Sequence, residues 1–374
     1  MTTLSQIQRA MDRAASYEEW QAAARAHDRK TGMERWKAVD QSRRYDFASI
    51  RVRLDRLRAL RKDGDNRGLL FSLNEGIHGN LGGMGSSALY GKAKFGTKQL
   101  ISDYVDEVVS ALEQLADPRA DDISFEEKLV FFRRADQCFG HSAFMMSGSG
   151  SRFYFHIGVV RALCEQDLLP NVLSGSSGGS FVGSLLSTHH KSELKSQLDP
   201  DYLVEVMEEQ TGHFRQASKL KPQLMQIDEI RKIIDSMIPD LTFQEAYDLT
   251  GRELNISIAP AEKHQKSRLL NATTSPNVYI REAVMASAAV PGVYPPVTLA
   301  AKNHLGEKQA YLPSRKWVDG SVSDDMPAKR LARLYGVNHY IVSQTNPHVI
   351  PFMADGKKKD DTWSQLKNAS VTSA

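Results

Sequence analysis

Residues 175–179 constrain the fold more than any other segment of this chain. They read Gly-Ser-Ser-Gly-Gly, a G-x-S-x-G pattern, and lie between an apolar stretch that ends at Ser174 and a helical stretch. Small residues such as Gly175 and Gly179 let a strand pass into a helix through a sharp turn that holds the central serine out of the sheet. The free N–H groups at the start of the helix favour negative charge there. The pattern predicts a strand–turn–helix unit with Ser177 as a candidate nucleophile.

The second half of the chain alternates short apolar stretches, glycine turns and helical stretches. Short strands bounded by turn residues are typical of a buried sheet, and strands that alternate with helices favour parallel pairing. We therefore predict an α/β fold class with a mainly parallel central sheet. The predicted strands are residues 143–146, 171–174, 254–259, 316–318 and 339–343.

A second small-residue loop, residues 147–151, also follows an apolar strand and precedes a helix. Such a loop can turn the backbone N–H groups of Gly148, Ser149 and Gly150 towards one point, which is how an oxyanion hole forms. The loss of one such donor typically costs on the order of 10²–10³ in rate. An ordinary glycine turn is the simpler interpretation. A dinucleotide loop fits poorly, because the last glycine of a G-x-G-x-x-G frame would fall on Phe153.

The third pattern is an apolar stretch, Trp317 and Val318, that ends in the pair Asp319 and Gly320. An Asp-Gly pair on its own is most often a turn. Asp319 therefore becomes a candidate catalytic residue, and Gly320 a motif glycine, only in combination with the two loops described above.

The first 137 residues show helical patterns and a basic balance. Residues 1–62 contain 15 Lys and Arg against 8 Asp and Glu, whereas the whole chain has a net charge of +3. Residues 45–62 place apolar side chains at helical spacing with arginines between them. Such a basic amphipathic helix can lie on an anionic membrane, but a surface helix packed on its own protein shows the same pattern. We expect no nucleic-acid partner, because no basic groove with interleaved aromatic residues is visible.

Composition narrows the compartment and the chemistry. The two cysteines, Cys138 and Cys164, show neither a metal-binding nor a disulfide spacing. The sequence lacks the basic flank and apolar run of a signal peptide, and no stretch approaches the roughly 18 apolar residues of a membrane span. These features predict a cytoplasmic protein that uses no metal and no cofactor and that attaches to membranes, if at all, peripherally. The polar, lysine-rich residues 354–374 are predicted to form a mobile tail.

Taken in order, the glycine loop, the G-x-S-x-G pattern and the Asp-Gly pair resemble the patatin-like phospholipase family. Three further stretches resemble one branch of it, which includes triacylglycerol lipases associated with lipid droplets: residues 155–160, 283–296 and 337–344. That branch carries a helical N-terminal region similar to residues 1–137. The resemblance implies a patatin-like three-layer fold over residues 138–353, preceded by this N-terminal helical domain and followed by the polar tail at residues 354–374.

The resemblance further implies a lipid acyl hydrolase that cleaves carboxylic esters of triacylglycerol or phospholipid through an acyl-serine intermediate. Members of the family use a Ser-Asp dyad without histidine, so Ser177 would attack the ester carbonyl and Asp319 would take its proton. Backbone N–H groups of residues 148–150 would bind the oxyanion. The partner implied is a lipid ester at an interface, with peripheral association to an anionic membrane or lipid droplet through residues 45–62.

Two positions depart from the family pattern. Ser149 separates two glycines where consecutive glycines are usual, and Phe153 stands where glycine is common. The hole can still form, because its donors are backbone groups. These departures nevertheless leave open an alternative function, a catalytically impaired lipid-binding or scaffold protein on the same fold.

Overall fold

The computed structural model of the chain describes residues 2–75, 77, 80–211, 225–262 and 265–345. Contacts within the chain divide it into two compact units, an N-terminal unit over residues 1–140 and a C-terminal unit over residues 141–353. The tail predicted for residues 354–374 lies outside the described residues. Each unit has its own hydrophobic core, and each is considered by itself below.

The N-terminal unit is helical, as predicted. Its described residues form eight helices: α1 (Leu4–Asp12), α2 (Tyr17–Lys30), α3 (Met33–Ala38), α4 (Phe47–Asp63), α5 (Asn66–Asn74), α6 (Ser87–Tyr90), α7 (Gln99–Ala116) and α8 (Phe125–Phe139). A short 3-10 turn spans Leu81–Gly83. The core of the unit forms chiefly where α4, α5, α7 and α8 pack together.

Helix α4 is the helix predicted over residues 45–62, and its caps explain its true bounds. The Asp46 side chain accepts a hydrogen bond from the Ser49 N–H, which satisfies a free donor at the helix start. Gly64 ends the helix with a φ of 69°, a left-handed conformation that glycine adopts without strain. The apolar side chains Ile50 and Leu54 are fully buried, and they belong to the core of this unit. Helix α4 is therefore a packed helix whose apolar side is already covered.

The basic residues of α4 divide into paired and unpaired groups. Arg51 pairs with Asp40 at 2.5 Å, and Arg61 pairs with Glu107 at 2.7 Å. Arg53 and Arg56 make no ion pair within the described part of the chain. Any attraction of α4 to an anionic surface would thus rest on unpaired charge and not on insertion of its apolar side.

The C-terminal unit contains a mainly parallel sheet, which confirms the predicted α/β class. Its strands are β1 (His141–Met146), β2 (Val172–Gly175), β3 (Glu253–Pro260), β4 (Arg268–Leu270), β5 (Leu299–Lys302), β6 (Lys308–Tyr311), β7 (Trp317–Asp319) and β8 (Val337–Ser343). The main sheet has the order β4-β3-β2-β1-β8, and β7 also pairs with β3. Pairing is parallel among β8, β1, β2 and β3, and antiparallel for β4 and β7 on β3. Strands β5 and β6 form a separate antiparallel pair.

The helices of this unit cover both faces of the sheet. They are α9 (Phe153–Glu165), α10 (Gly178–Thr188), α11 (Leu194–Gln197), α12 (Pro200–Thr211), α13 (Ile227–Met237), α14 (Phe243–Thr250), α15 (Ile280–Ala288), α16 (Ser321–Asp324) and α17 (Ala328–Tyr335). Phe144 and Met146 of β1 join the larger core with α9 and α10, whereas Ala143 and Met145 join a second core with Leu331 of α17. Successive strand residues point to opposite faces, so this division places helices on both sides and gives the three-layer arrangement.

Helix α10, which follows the G-x-S-x-G segment, is buried along almost its whole length, from Gly179 to Thr188. A helix that is covered on all sides belongs to the centre of a core and not to its surface. Within the described residues, no helix is both long and apolar enough to cross a membrane.

Candidate active site

Ser177 lies at a sharp turn between β2 and α10, as the sequence pattern predicts. Its φ is 50° and its ψ is −123°, an uncommon conformation for a residue with a side chain. Two hydrogen bonds connect the turn to α15 and β3. The Ser177 N–H donates to Ser287 Oγ at 2.8 Å, and the Ser287 hydroxyl donates to the Ser257 carbonyl at 2.8 Å. The backbone strain at Ser177 is thus offset by hydrogen bonds from neighbouring elements.

The motif glycines are required by close approach of the backbone. A Cβ atom on Gly175 would lie 2.3 Å from the carbonyl oxygen of Gly179, and one on Gly179 would lie 2.5 Å from that of Met146. A Cβ atom on Gly320 would lie 2.5 Å from the carbonyl carbon of Ser257. None of the three glycines has a positive φ. Their role is therefore to let β1, β2, β3 and α10 meet without side chains between them.

Asp319 ends β7 and is 2% exposed. Its Oδ1 accepts a hydrogen bond from the Ser321 N–H at 2.8 Å. Burial raises the pKa of Asp319 to about 6 and the charge of Asp325 raises it further, whereas Ser321 and the nearby Ser177 hydroxyl lower it. The fold therefore brings the two predicted catalytic side chains close together.

The small-residue loop lies beside the nucleophile turn. A Cβ atom on Gly178 would lie 2.2 Å from Ser149 Oγ and 3.0 Å from the Gly150 carbonyl oxygen, so the loop touches the residue that follows Ser177. The Ser149 hydroxyl is buried and has no hydrogen-bond partner among the residues that the structure describes. The Gly148 N–H donates to Asp325 Oδ1 at 2.8 Å. Of the three predicted oxyanion donors, Gly148 is thus already engaged, whereas no described partner occupies the N–H groups of Ser149 and Gly150.

A histidine lies near the site but is occupied elsewhere. His156 is fully buried, with Nδ1 2.6 Å from Ser343 Oγ and Nε2 3.0 Å from the Ser147 carbonyl oxygen. Burial lowers its pKa, which favours the neutral ring, although the hydrogen bond to Ser147 opposes this shift. Since both ring nitrogens have partners, His156 holds the loop to the end of β8 and is not free to serve Ser177.

An apolar cavity of about 260 Å³ opens beside Ser177. None of its described lining residues carries a charge, and most are aliphatic, aromatic or thioether side chains: Phe153, Phe181, Met207, Met225, Ile230, Ile233, Ile234, Val284, Ala288 and Val290. Gly150, Ser151, Gly178 and Tyr294 complete the lining with Ser177. Apolar cavities larger than about 150 Å³ hold hydrocarbon ligands, so this one suits an uncharged apolar group next to the serine.

Three neighbours of the site carry no clear signal in the sequence. Ser287 and Asp325 act through contacts with segments distant in the chain, which no local pattern reveals. Gly178 belongs to the G-x-S-x-G segment, but its N–H, which has no described partner, was not among the predicted donors. The residue after the nucleophile commonly supplies one oxyanion donor at such turns, and this general rule is the signal that identifies Gly178. Within the described residues, no cluster of three or more His, Cys, Asp or Glu side chains is arranged to bind a metal ion.

Together, the fold and the site define a class of α/β proteins in which a strand–turn–helix elbow presents a serine beside a buried carboxylate. The sequence comparisons specify the family. Residues 144–332 match the patatin-like phospholipase family, and the chain belongs to that family. Residues 2–137 match a family described as a domain of unknown function (DUF3336).

Two of the relatives carry lipase names. Triacylglycerol lipase SDP1L of Arabidopsis thaliana is 36% identical over 359 residues, which cover 92% of this chain and 44% of the relative. Triacylglycerol lipase 4 of Saccharomyces cerevisiae is 37% identical over 378 residues, which cover 95% of this chain and 41% of the relative. The chain therefore spans less than half the length of these relatives. Among solved structures, VipD from Legionella pneumophila aligns with 63% of this chain and 53% of its own at 14% identity and a TM-score of 0.33.

Proposed function

We propose that this protein hydrolyses carboxylic esters of lipids through a Ser177–Asp319 dyad and an acyl-serine intermediate. The observation that carries the proposal is that the Ser177 side chain lies both beside the buried Asp319 carboxylate and in the lining of an uncharged cavity. The names of the two lipase relatives favour acylglycerols as the substrate class. Phospholipids remain the other lipid ester that the family name includes.

In the proposed reaction, Ser177 Oγ attacks the ester carbonyl while its proton passes to Asp319. The N–H groups of Gly178, Ser149 and Gly150 stabilise the negative oxygen of the tetrahedral intermediate. The intermediate collapses to an acyl-serine, and the departing alcohol takes the proton back from Asp319. Water, deprotonated by Asp319, then attacks the acyl-serine and releases the fatty acid with Ser177 restored.

The environment of Asp319 makes it a stronger base than an exposed aspartate. A carboxylate with a pKa of about 3.9 in water holds a proton poorly at neutral pH, but burial raises the pKa of Asp319 to about 6. Proton transfer is most efficient when the pKa of the base lies close to the working pH. The apolar cavity supplies the surroundings from which water is displaced when an acyl chain enters.

The decisive experiment is labelling with a fluorophosphonate probe, with the wild type beside Ser177→Ala and the modified residue mapped by mass spectrometry. We expect labelling at Ser177 in the wild type and none in the variant, together with hydrolysis of a p-nitrophenyl ester and release of fatty acid from triolein emulsions. A folded wild type that is never labelled and never releases fatty acid would overturn the proposal.

The decrease in rate at low pH should reflect protonation of Asp319. Because Asp319 must be ionised to accept the proton, kcat/KM for p-nitrophenyl butyrate should fall about tenfold per pH unit below an apparent pKa near 6. The measurement is an initial-rate profile from pH 4 to 9, with circular dichroism at each pH to show that the protein stays folded. A rate that is flat to pH 4 would exclude Asp319 as the base.

Attachment to an anionic lipid surface should depend on the unpaired charges of α4. We expect Arg53→Gln combined with Arg56→Gln to weaken binding to phosphatidylserine-containing vesicles by roughly 30-fold at low salt, since each basic residue near such a surface contributes about 1 kcal/mol. Lys195→Gln with Lys329→Gln, which removes the same charge from exposed sites of the C-terminal unit, serves as the control. Flotation assays with anionic and zwitterionic vesicles measure the effect, and equal losses for both double variants would reject a specific role for α4.

One observation favours the alternative of an impaired lipid-binding protein. The Ser149 side chain lies against Gly178 and its hydroxyl has no described partner, so it narrows the proposed oxyanion site. Because the proposed donors are backbone groups, we expect Ser149→Ala to keep kcat/KM within about threefold of the wild type, with no loss of thermal stability. An inactive wild type that gains turnover in Ser149→Ala would show that this side chain blocks the site.

A further inference from the structure

A second acidic residue, Asp325, contacts both the loop of residues 147–151 and the turn that carries Ser177. Asp325 follows α16, and its Oδ1 accepts a hydrogen bond from the Gly148 N–H at 2.8 Å. The Ser176 hydroxyl donates a hydrogen bond to the backbone carbonyl oxygen of Asp325 at 3.3 Å. One residue therefore contacts both the loop after β1, through its side chain, and the residue immediately before Ser177, through its backbone.

The position of this carboxylate is unusual because no cation balances it within the described residues. Its neighbour Asp324 pairs with Arg330 at 3.3 Å, and the hydrogen bonds of that arginine within the described residues go to Ser267. The other charged groups that face Asp325 are Asp324 and Asp319, both acidic. Residues 147–151 and the turn that carries Ser177 present only N–H and hydroxyl groups to Asp325. Placing a partly buried carboxylate among acidic neighbours lowers the stability of the folded state. A role in the site would offset this cost.

The contacts also exclude a role for Asp325 as a second base. Its carboxylate accepts the Gly148 N–H, whereas Ser177 acts on the pKa of Asp319. Any effect of Asp325 on the reaction must therefore act through the loop, through the turn, or through its charge on Asp319.

We propose that Asp325 is a positioning residue that fastens the oxyanion loop to the turn that carries Ser177, through its carboxylate at Gly148 and its backbone carbonyl at Ser176, and that its negative charge makes Asp319 a stronger base. The inference rests on the proposed function for its kinetic part. The Gly148 N–H is engaged by Asp325, so the following N–H groups of Ser149 and Gly150 remain for the oxyanion. A displacement of about 1 Å in such donors can cost on the order of 10² in rate, so the contact sets the rate without touching the substrate.

Two variants separate the hydrogen bonds from the charge. In Asp325→Asn the amide oxygen can still accept from Gly148 and the backbone carbonyl still accepts from Ser176, so both contacts are kept while the charge is lost. We expect its plateau kcat to stay within about fivefold of the wild type. Without this negative charge, the ionised form of Asp319 is more favourable. The apparent pKa below which the rate decreases should therefore fall by roughly one unit. Asp325→Ala loses the contact with Gly148 that holds the loop, and its plateau kcat should fall by on the order of 10².

Asp324→Asn is the matched control, since it removes the same charge one residue away from a side chain that faces Arg330. It should leave both the plateau kcat and the apparent pKa of the rate profile unchanged. Hydrogen exchange of residues 146–152 provides a readout independent of activity: slow exchange in the wild type and Asp325→Asn, and faster exchange in Asp325→Ala.

These outcomes separate the two proposals. Unlabelled wild type with loosened exchange in Asp325→Ala would overturn the hydrolase function and keep the positioning contact. Equal plateau rates in Asp325→Asn and Asp325→Ala, an apparent pKa that does not move in Asp325→Asn, or unchanged exchange in Asp325→Ala would overturn the role of Asp325. If Asp325→Ala does not fold, the pH profile and the plateau kcat of Asp325→Asn decide the test. A residue with a purely structural role would leave the apparent pKa of the rate profile unchanged.

Discussion

Asp319→Asn should produce a protein that is nearly inactive and more stable than the wild type. Without a base to accept the Ser177 proton, kcat on a soluble ester should fall by on the order of 10³ or more. Asparagine has nearly the same shape, and its amide oxygen can still accept from the Ser321 N–H that now contacts Asp319 at 2.8 Å. The loss of activity would therefore arise from the chemistry of the side chain and not from a collapsed site.

The gain in stability follows from the direction of the pKa shift. Burial raises the pKa of Asp319 from 3.8 to about 6. Above pH 6 the side chain is ionised in both states, but its ionised form is less favourable in the folded state than in the unfolded chain. At about 1.4 kcal/mol per unit, a shift of this size corresponds to at most about 3 kcal/mol. The wild type recovers this free energy as the pH falls from 6 towards 4, because the folded state takes up the proton first. The advantage of Asp319→Asn should therefore be largest near pH 8 and vanish below about pH 4.

Thermal melts of both proteins between pH 4 and 8 test this expectation, and Ser177→Ala provides an inactive control that keeps the carboxylate. A melting temperature of Asp319→Asn that is lower than that of the wild type at pH 8 would show that the ionised side chain stabilises the fold. In that case Asp319 would be a structural residue and the assignment of the base would have to change.

Gly175→Ala should strongly destabilise the C-terminal unit. The new Cβ would lie 2.3 Å from the Gly179 carbonyl oxygen and 2.6 Å from the Ser180 nitrogen. These are backbone atoms of a buried strand end and a buried helix, so no flexible side chain can move aside. We expect a loss of at least about 3 kcal/mol in the free energy of unfolding, at the upper end of the usual range for overpacking, and loss of esterase activity.

Gly158→Ala supplies the control for the same chemical change. Gly158 is exposed in the middle of α9, and no atom lies within 4 Å of its added Cβ. Alanine is favoured over glycine in a helix by roughly 0.5–1 kcal/mol, so this variant should be slightly more stable and fully active. Urea denaturation of the two variants measures the difference. Similar stabilities for both would mean that the approach of β2 to α10 is looser than the structure shows.

The sequence predicts best where the structure depends on local geometry. The five predicted strands appear as β1, β2, β3, β7 and β8, shifted by one or two residues, because short apolar runs before glycine turns mark the centres of strands but not their ends. The antiparallel pair β5 and β6 was not predicted. All four residues of β6 are at least partly exposed, so the strand lacks the apolar run that identifies a buried one.

The site shows the same division. Ser177 and Asp319 each follow an apolar strand within a small-residue segment, so local pattern and family resemblance suffice to select them. The donor at Gly148 illustrates what local pattern misses, because its N–H is directed by Asp325, a residue 177 positions later in the chain. The helix at residues 45–62 was ambiguous in the sequence, since an apolar side alone does not say what covers it. In the structure, the apolar side of this helix packs into the core of the N-terminal unit.

The distance along the chain between the two residues of the dyad has a consequence for biosynthesis. Ser177 precedes Asp319 by 142 residues (319 − 177), and the strand that carries Asp319 pairs with β3, which is complete much earlier. At about 5–20 residues per second, a ribosome needs roughly 7–30 s to travel from one codon to the other. During that interval the nascent chain contains Ser177 without Asp319, so we expect the proposed dyad to form only after residue 319 has been synthesised.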